Sequence, residues 1–298
     1  LTNWKHLGPI AGSNMSGLGE FGYMWECPDL FHLDGKDVLL MSPQGLEPEG
    51  YLYNNLYQSG YLIGEMDYEN VCLQHGAFTE LDRGFDFYAP QTTIDQHGRR
   101  LMFGWMGLPE ENESYHPSIE HRWIHAMTLP RKLELKGDKL YQKPVEEMQL
   151  LRKNKVCYSN VQLSGDDIEF DHVNGDSIEL LLDFIKNEAG KFEISFRGIA
   201  RLSYDAEIQR FTFERRSFKD GSIESRHCKL TSLSKLQLFL DTSSIEIFVN
   251  DGVEVFTARI YPDINNQSIT FSVLGDIHID LTKWNMVPAA TRNMSNTA

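Results

Sequence analysis

The stretch SIEIFVNDGVEVFTARI (244–260) reads as two β-strands joined by a tight turn. Ile245, Ile247 and Val249 alternate with Glu246 and Phe248, the period of two that sends one face of a sheet inward and the other outward. Asn250-Asp251-Gly252 interrupts the run at its centre, and Asn and Gly tolerate the positive φ that a hairpin turn demands. The pattern recurs on both sides, in SIELLLDFI (177–185), KFEISFRG (191–198), RFTFERR (210–216), KLQLFLD (235–241), SITFSVL (268–274) and IHIDLTKW (277–284). So many alternating strands at regular spacing predict an antiparallel β-sandwich over residues 153–298.

Upstream of residue 152 the strand signals are shorter: DVLLMS (37–42), NLYQSGYLIGEM (55–66), FDFYAPQTTI (85–94), RRLMFGWMG (99–107) and WIHAMTLPRKLEL (123–135). Turn residues separate them at LDGKD (33–37), DQHGR (95–99) and LKGDK (135–139). No WD dipeptide or clear internal repeat marks the blades of a propeller, although divergent blades fit this spacing. VEEMQLLR (145–152) reads either as a helical turn or as an extended linker between the halves.

The 298 residues carry 41% hydrophobic side chains, enough for a core and too many for a disordered chain. The formal net charge of −15 argues against a nucleic-acid partner, which needs a basic face. Cys27, Cys72, Cys157 and Cys228 form no CxxC pair, so neither a disulfide framework nor a zinc site is expected. Free thiols suit a reducing compartment such as the cytoplasm. No apolar run reaches the roughly 18 residues of a membrane helix, and no signal peptide is visible. The chain starts at Leu1 inside a polar turn, from which an upstream part removed by processing or truncation is expected.

The segment GYMWECPDLF (22–31) carries the chemistry. It sets Glu26 between Trp25 and Cys27, with Pro28 fixing the turn and Asp29 close behind. Aromatic and sulfur neighbours withdraw water, which favours the protonated form of a carboxylic acid. Such an acid can hand a proton to a leaving group. Against this stands the plain alternative of a strand end whose glutamate points to water. The rings of Phe21, Tyr23, Trp25 and Phe31 favour a sugar site, where ring faces and carboxylates share the ligand.

GYMWECPDLF, RGFDFYAPQT (83–92), GWMGLPE (104–110), HRWIHAMTLPRKL (121–133) and DTSSIEIFVNDGVEVFTARIYP (241–262) together resemble the glycoside hydrolase family 32 β-fructosidases, in their bacterial sucrose-6-phosphate hydrolase branch. The resemblance implies a five-bladed β-propeller followed by a C-terminal β-sandwich. It also implies retaining cleavage of a β-fructofuranosyl bond of sucrose-6-phosphate or sucrose, without cofactor or metal. By motif, Glu26 matches the family's general acid/base. Asp86 and Tyr88 fall where the fructose pocket is lined, and Trp105 falls where a ring closes it. Trp25, Cys27 and Asp29 flank the acid as further substrate-site candidates. The family's nucleophile lies in a WMNDPNG-type motif and a second carboxylate in an RDP motif. Neither occurs in these 298 residues, so the resemblance covers about the last three blades (residues 1–152) and the sandwich. A retaining glycosidase needs two carboxyl groups about 5–5.5 Å apart. The expectation is therefore that this chain alone does not hydrolyse sucrose or its phosphate. A non-catalytic carbohydrate-binding protein on the same scaffold is the rival reading, and a purely structural role for the sandwich the third.

Other candidates have plainer readings. Asp86 is as consistent with a turn residue as with a sugar contact, and Tyr88 and Trp105 with core aromatics. Gly104 and Gly107 are expected to leave space around Trp105. His121 and His125 read as strand residues four apart without a third metal ligand, and with His116 as surface or loop histidines. The acidic pairs Glu110-Glu111 and Glu146-Glu147 read as solvated loops. Arg99, Arg100, Arg122 and Arg131 are the candidates for a sugar phosphate, with Arg131 and Lys132 equally readable as rim charges. An open propeller should expose sheet edges, covered by a second copy of the chain or by an upstream part.

Overall fold

The computed structural model describes residues 2–15, 17–110 and 112–289. The elements are almost entirely β. In the first half, β1 (Met24–Leu33), β2 (Lys36–Gln44), β3 (Gly60–Asp67), β4 (Cys72–His75) and the short β5 (Thr79–Glu80) form one antiparallel sheet, ordered β1-β2-β3-β4 with β5 on β3. A second sheet holds β6 (Tyr88–Ile94), β7 (Arg100–Met106), the short β8 (Ala126–Met127), β9 (Arg131–Lys136) and β10 (Lys139–Pro144). Its order is β10-β9-β7-β6, with β8 on β7. Two blade-like sheets therefore stand in the described part of residues 1–152, where about three blades were expected; the described residues before Met24 contribute no strand.

β2 shows why the sheets pack. Val38 and Leu40 face the second sheet, sharing a core with Phe87, Met102, Leu133 and Leu140. Leu39 and Met41 face the other way, under Phe21, Trp25 and Phe78. Both faces of β2 are covered, so its apolar run is continuous rather than alternating.

The second half is the expected sandwich. Its strands are β11 (Arg152–Ile168), β12 (Ile178–Asn187), β13 (Lys191–Phe196), β14 (Ala200–Asp205), β15 (Arg210–Arg216), β16 (Ile223–Lys229), β17 (Lys235–Leu240), β18 (Ser244–Val249), β19 (Glu254–Arg259) and β20 (Ile269–Met286). The long β20 joins the two layers. Its first part pairs with β13 and its later part with β12. Phe192, Ile194, Phe211 and Phe213 of one layer meet Leu180, Leu236, Ile247 and Phe256 of the other in one apolar cluster. The β18–β19 turn has positive φ at Asn250, Asp251 and Gly252, as its sequence required. Residues 145–152 resolve into a short 3-10 turn, Glu146–Leu151. The sandwich was expected to run to Ala298, but residues 290–298 lie outside those described.

One expectation fails at β18. Glu246 and Phe248 were read as facing solvent, yet both are buried. The first half covers that face: Phe248 packs with Phe239, Val255, Leu129 and Met148. The edge beyond it is covered too. The backbone N–H groups of Arg83 and Phe85 donate to the carbonyls of Val255 and Thr257 at 2.7 and 2.8 Å, extending β19 with a segment of the first half. Gly84 makes this approach feasible, because a Cβ there would stand 2.0 Å from the Thr257 carbonyl oxygen. Gly84→Ala is therefore expected to cost about 1–3 kcal/mol of unfolding free energy in urea, since the obstructing atom is backbone and cannot rotate aside. An unchanged midpoint would show that the docking is loose.

Candidate active site

Glu26 owes its aim to an irregularity in β1. Residues 26 and 29, three apart on a regular strand, would point to opposite faces. The pairing with β2 slips between Glu26, opposite Ser42, and Asp29, opposite Leu40, while Cys27 adopts a φ of 50°. The extra residue turns both carboxylates toward β6. Glu26 meets Tyr88, and Asp29 meets Thr92 four residues further on.

Around the half-buried Glu26 the contacts are specific. The Tyr88 hydroxyl donates to Oε2 at 2.9 Å, and Gln44 Nε2 donates to the same oxygen at 3.0 Å. Gln44 Nε2 also donates to the Tyr88 hydroxyl at 3.1 Å, and its Oε1 accepts from the Tyr23 hydroxyl at 3.0 Å. Burial, with the charge of Glu26 in contact, raises the Tyr88 phenol well above its ordinary range, so it remains a donor. Burial and Glu26 likewise raise the Cys27 thiol, which therefore stays protonated near neutral pH.

A row of rings runs outward from Glu26. Tyr57 and Tyr88 lie 5.8 Å apart, Tyr88 and Trp105 6.4 Å, and Trp105 meets His125 edge-on at 4.6 Å. Carboxylates edge this row: Glu113 Oε1 lies 3.1 Å from His125 Nε2, and the Tyr57 hydroxyl donates to Glu110 at 3.3 Å. The hydrogen bond with Tyr23, burial and Glu110 push the Tyr57 phenol up to about 12. Of the acidic pair at this loop, Glu110 is exposed as expected, and Glu111 lies outside the described residues. Gly104 and Gly107 do not leave open space. A Cβ on Gly104 would strike the Phe87 ring and one on Gly107 would strike His125 Nδ1, each at 2.2 Å, so Gly107 lets His125, the ring that meets Trp105, close in.

Tyr88 and Trp105 thus gather with Glu26, whereas three other expected residues do not. Trp25, the next residue along the strand, points to the opposite face, packs with Phe21 and donates from Nε1 to the Phe21 carbonyl at 2.7 Å. Asp29 accepts from both the backbone N–H and the hydroxyl of Thr92, at 2.8 and 2.6 Å, and ties the two sheets together. Asp86 is buried at the junction of the halves, where its Oδ2 accepts from the Arg215 guanidinium and from the Arg259 backbone N–H.

The histidines and arginines also depart from expectation. His121 ends a 3-10 turn and His125 follows in a loop, so neither is on a strand. His116 is buried, with Nδ1 2.9 Å from the Tyr261 hydroxyl. Burial lowers its pKa to about 4, with the charges of Arg259 and Arg215 acting in the same direction. No group of three or more potential metal ligands occurs among the described residues. Arg131 is fully buried rather than a rim charge, and Arg99 is paired with Asp95 and Glu147. Gln44 and Tyr57 escaped the sequence reading. Gln44 carried one signal, a polar residue shortly after the apolar run at 38–41; Tyr57 lies in a loop and carried none.

Two family models match the chain: the glycosyl hydrolases family 32 N-terminal domain over residues 1–144 and the family 32 C-terminal domain over residues 147–285. A sucrose-6-phosphate hydrolase from Bacillus subtilis is 47% identical over 288 residues, covering 96% of this chain and 60% of that protein. Among solved structures, a family 32 β-fructofuranosidase from Bombyx mori superposes with a TM-score of 0.75 at 34% identity, over 91% of this chain and 56% of that one. The sucrose-6-phosphate hydrolase of Lactobacillus gasseri gives 0.76 at 28% identity, over 91% and 57%. The chain thus spans about 60% of the length of the curated relative it matches at 47% identity.

Proposed function

Since this chain belongs to glycosyl hydrolases family 32, we propose that Glu26 is the general acid/base of a retaining β-fructofuranosidase acting on sucrose-6-phosphate or sucrose. One observation carries the reading. Glu26 has Oε2 held by two donors while Oε1 has no hydrogen-bond partner among the described residues, beside the Tyr57–Tyr88–Trp105 row. Such a carboxyl group can protonate the glycosidic oxygen, then take a proton from water as that water releases fructose from a carboxylate nucleophile. No nucleophile is assigned within these 298 residues. Asp29 does not serve, because Thr92 engages it and it shares a short segment with Glu26. By itself the chain therefore binds sugar without turning it over.

Residues 1–152 and 153–298 form the two structural units of this reading, parted at the 3-10 turn Glu146–Leu151. Tyr88 and Trp105 line the sugar site, and Cys27 shapes the bulge that aims Glu26. The four free cysteines fit a reducing compartment such as the cytoplasm, where a sugar phosphate would be met.

The test joins the chain to the part of a relative that carries the WMNDPNG-type and RDP motifs. The joined protein is expected to hydrolyse sucrose-6-phosphate, and Glu26→Gln to lower kcat by about 10²–10⁴-fold. The 298-residue chain alone is expected to show no turnover while sucrose quenches its tryptophan fluorescence. Turnover by that chain, abolished by Glu26→Gln, would refute the missing-nucleophile part. Undiminished turnover by the joined Glu26→Gln protein would refute the acid/base assignment, whereas sugar binding without turnover by the joined native protein would leave a carbohydrate-binding protein as the better account.

A further inference from the structure

We propose that Gln44 is a positioning residue that fixes which oxygen of Glu26 carries the transferable proton; this rests on Glu26 being the acid/base. Gln44 ends β2 opposite Met24 and is 7% exposed. Its amide orientation follows from its neighbours. A tyrosine hydroxyl has one proton to donate. That of Tyr88 goes to Glu26 Oε2, which only accepts when ionised. The Tyr88 oxygen can then only accept from Gln44, so the amide nitrogen must face it, at 3.1 Å. The same nitrogen offers its second hydrogen to Glu26 Oε2 at 3.0 Å. Gln44 Oε1 is left to accept from Tyr23, whose hydroxyl locks the amide against flipping.

Oε2 thus receives two donors from uncharged side chains. A proton placed on Oε2 would oppose one of them, leaving a donor unsatisfied in a largely buried position. The proton therefore sits on Oε1. In the first step Oε1–H passes its proton to the glycosidic oxygen, which keeps the electron pair of the breaking C–O bond. In the second step Oε1 takes a proton from water while the water oxygen bonds to the anomeric carbon and the nucleophile's carboxylate departs. The atoms and charges balance with no further reactant.

Two measurements test this. Infrared spectroscopy of the 298-residue chain with ¹³C-labelled glutamate assigns the Glu26 carboxylate band by its loss in Glu26→Gln. Gln44→Leu is expected to shift that band, and Tyr23→Phe to shift it less. In the joined, active protein, Gln44→Leu is expected to lower kcat about 10- to 100-fold, with KM within about twofold. Tyr23→Phe should lower kcat less, and the double variant should be no worse than Gln44→Leu alone, because both act through one amide. A role confined to stability would move the unfolding midpoint and leave the band and kcat in place. An unmoved band with retained kcat in Gln44→Leu overturns the proposal. Retained turnover in Glu26→Gln instead overturns the acid/base reading beneath it.

Discussion

Arg131→Ala is expected to destabilise the chain by about 3–5 kcal/mol, among the largest effects of any single substitution here. The Arg131 guanidinium is fully buried at the junction of the halves. It donates to Asp82 at 3.0 Å, Gln142 at 2.9 Å, Glu246 at 2.7 Å and Thr257 at 2.6 Å. Phe87 and Phe248 lie against it, with the guanidinium carbon 5.0 and 5.3 Å from their ring centres. Two carboxylates, one from each half, are thus neutralised by one cation in a place water does not reach. Removing the cation leaves both buried and mutually repelling. Burial already works against ionisation of Glu246, whose pKa is raised for that reason despite Arg131. The measurement is urea unfolding followed by tryptophan fluorescence and circular dichroism. Replacing Arg131, Asp82 and Glu246 together with apolar residues of similar size should recover much of the loss, since the cost lies in the unpaired charges. A midpoint unchanged in Arg131→Ala would mean that water reaches this junction.

How far these sites could be read beforehand depends on the range of the interaction that makes them. The sandwich was legible because period-two alternation and the Asn250-Asp251-Gly252 turn are local properties. Glu246 and Phe248 were misplaced because the same alternation says which residues share a face, not what covers it. What covers this face is supplied by residues more than a hundred positions away, such as Leu129 and Arg131. The motif singled out Glu26, but its surroundings were misread: Trp25, its sequence neighbour, lies on the opposite face. Its real partners, Gln44 and Tyr88, come from other strands, 18 and 62 residues on. Only the bulge at Cys27 turns Glu26 and Asp29 to one side, and no rule of alternation predicts a bulge. The blades were legible as strands and turns, whereas which strands pair within one sheet is a long-range property that local alternation does not carry.

Mild acid should loosen the link between the two halves through His116. Its partners come from several elements. Tyr261 and Ser118 share a hydroxyl contact beside it, Phe218 and His125 pack on its ring, and Asp86, Arg215 and Arg259 supply the surrounding charge. Asp86 favours the protonated ring, but burial and the two arginines outweigh it and hold the pKa at about 4 against an ordinary 6.5. An unfolded His116 therefore binds a proton at a pH where the folded one does not. The stability it protects is fully present above about pH 6.5 and drains away as pH falls toward 4, to a total on the order of 3 kcal/mol. His227, also lowered by burial, titrates in the same direction, so the readout must be a difference. Unfolding free energy measured from pH 7 to 4 should fall more steeply in the native chain than in His116→Gln, which cannot take up the proton. The loop from Asn112 carries Glu113 and His125 to Trp105, so its release should also change tryptophan emission over the same pH range. Parallel pH curves for the two proteins would mean that His116 is solvated in solution, and that the second half does not hold this loop against Trp105.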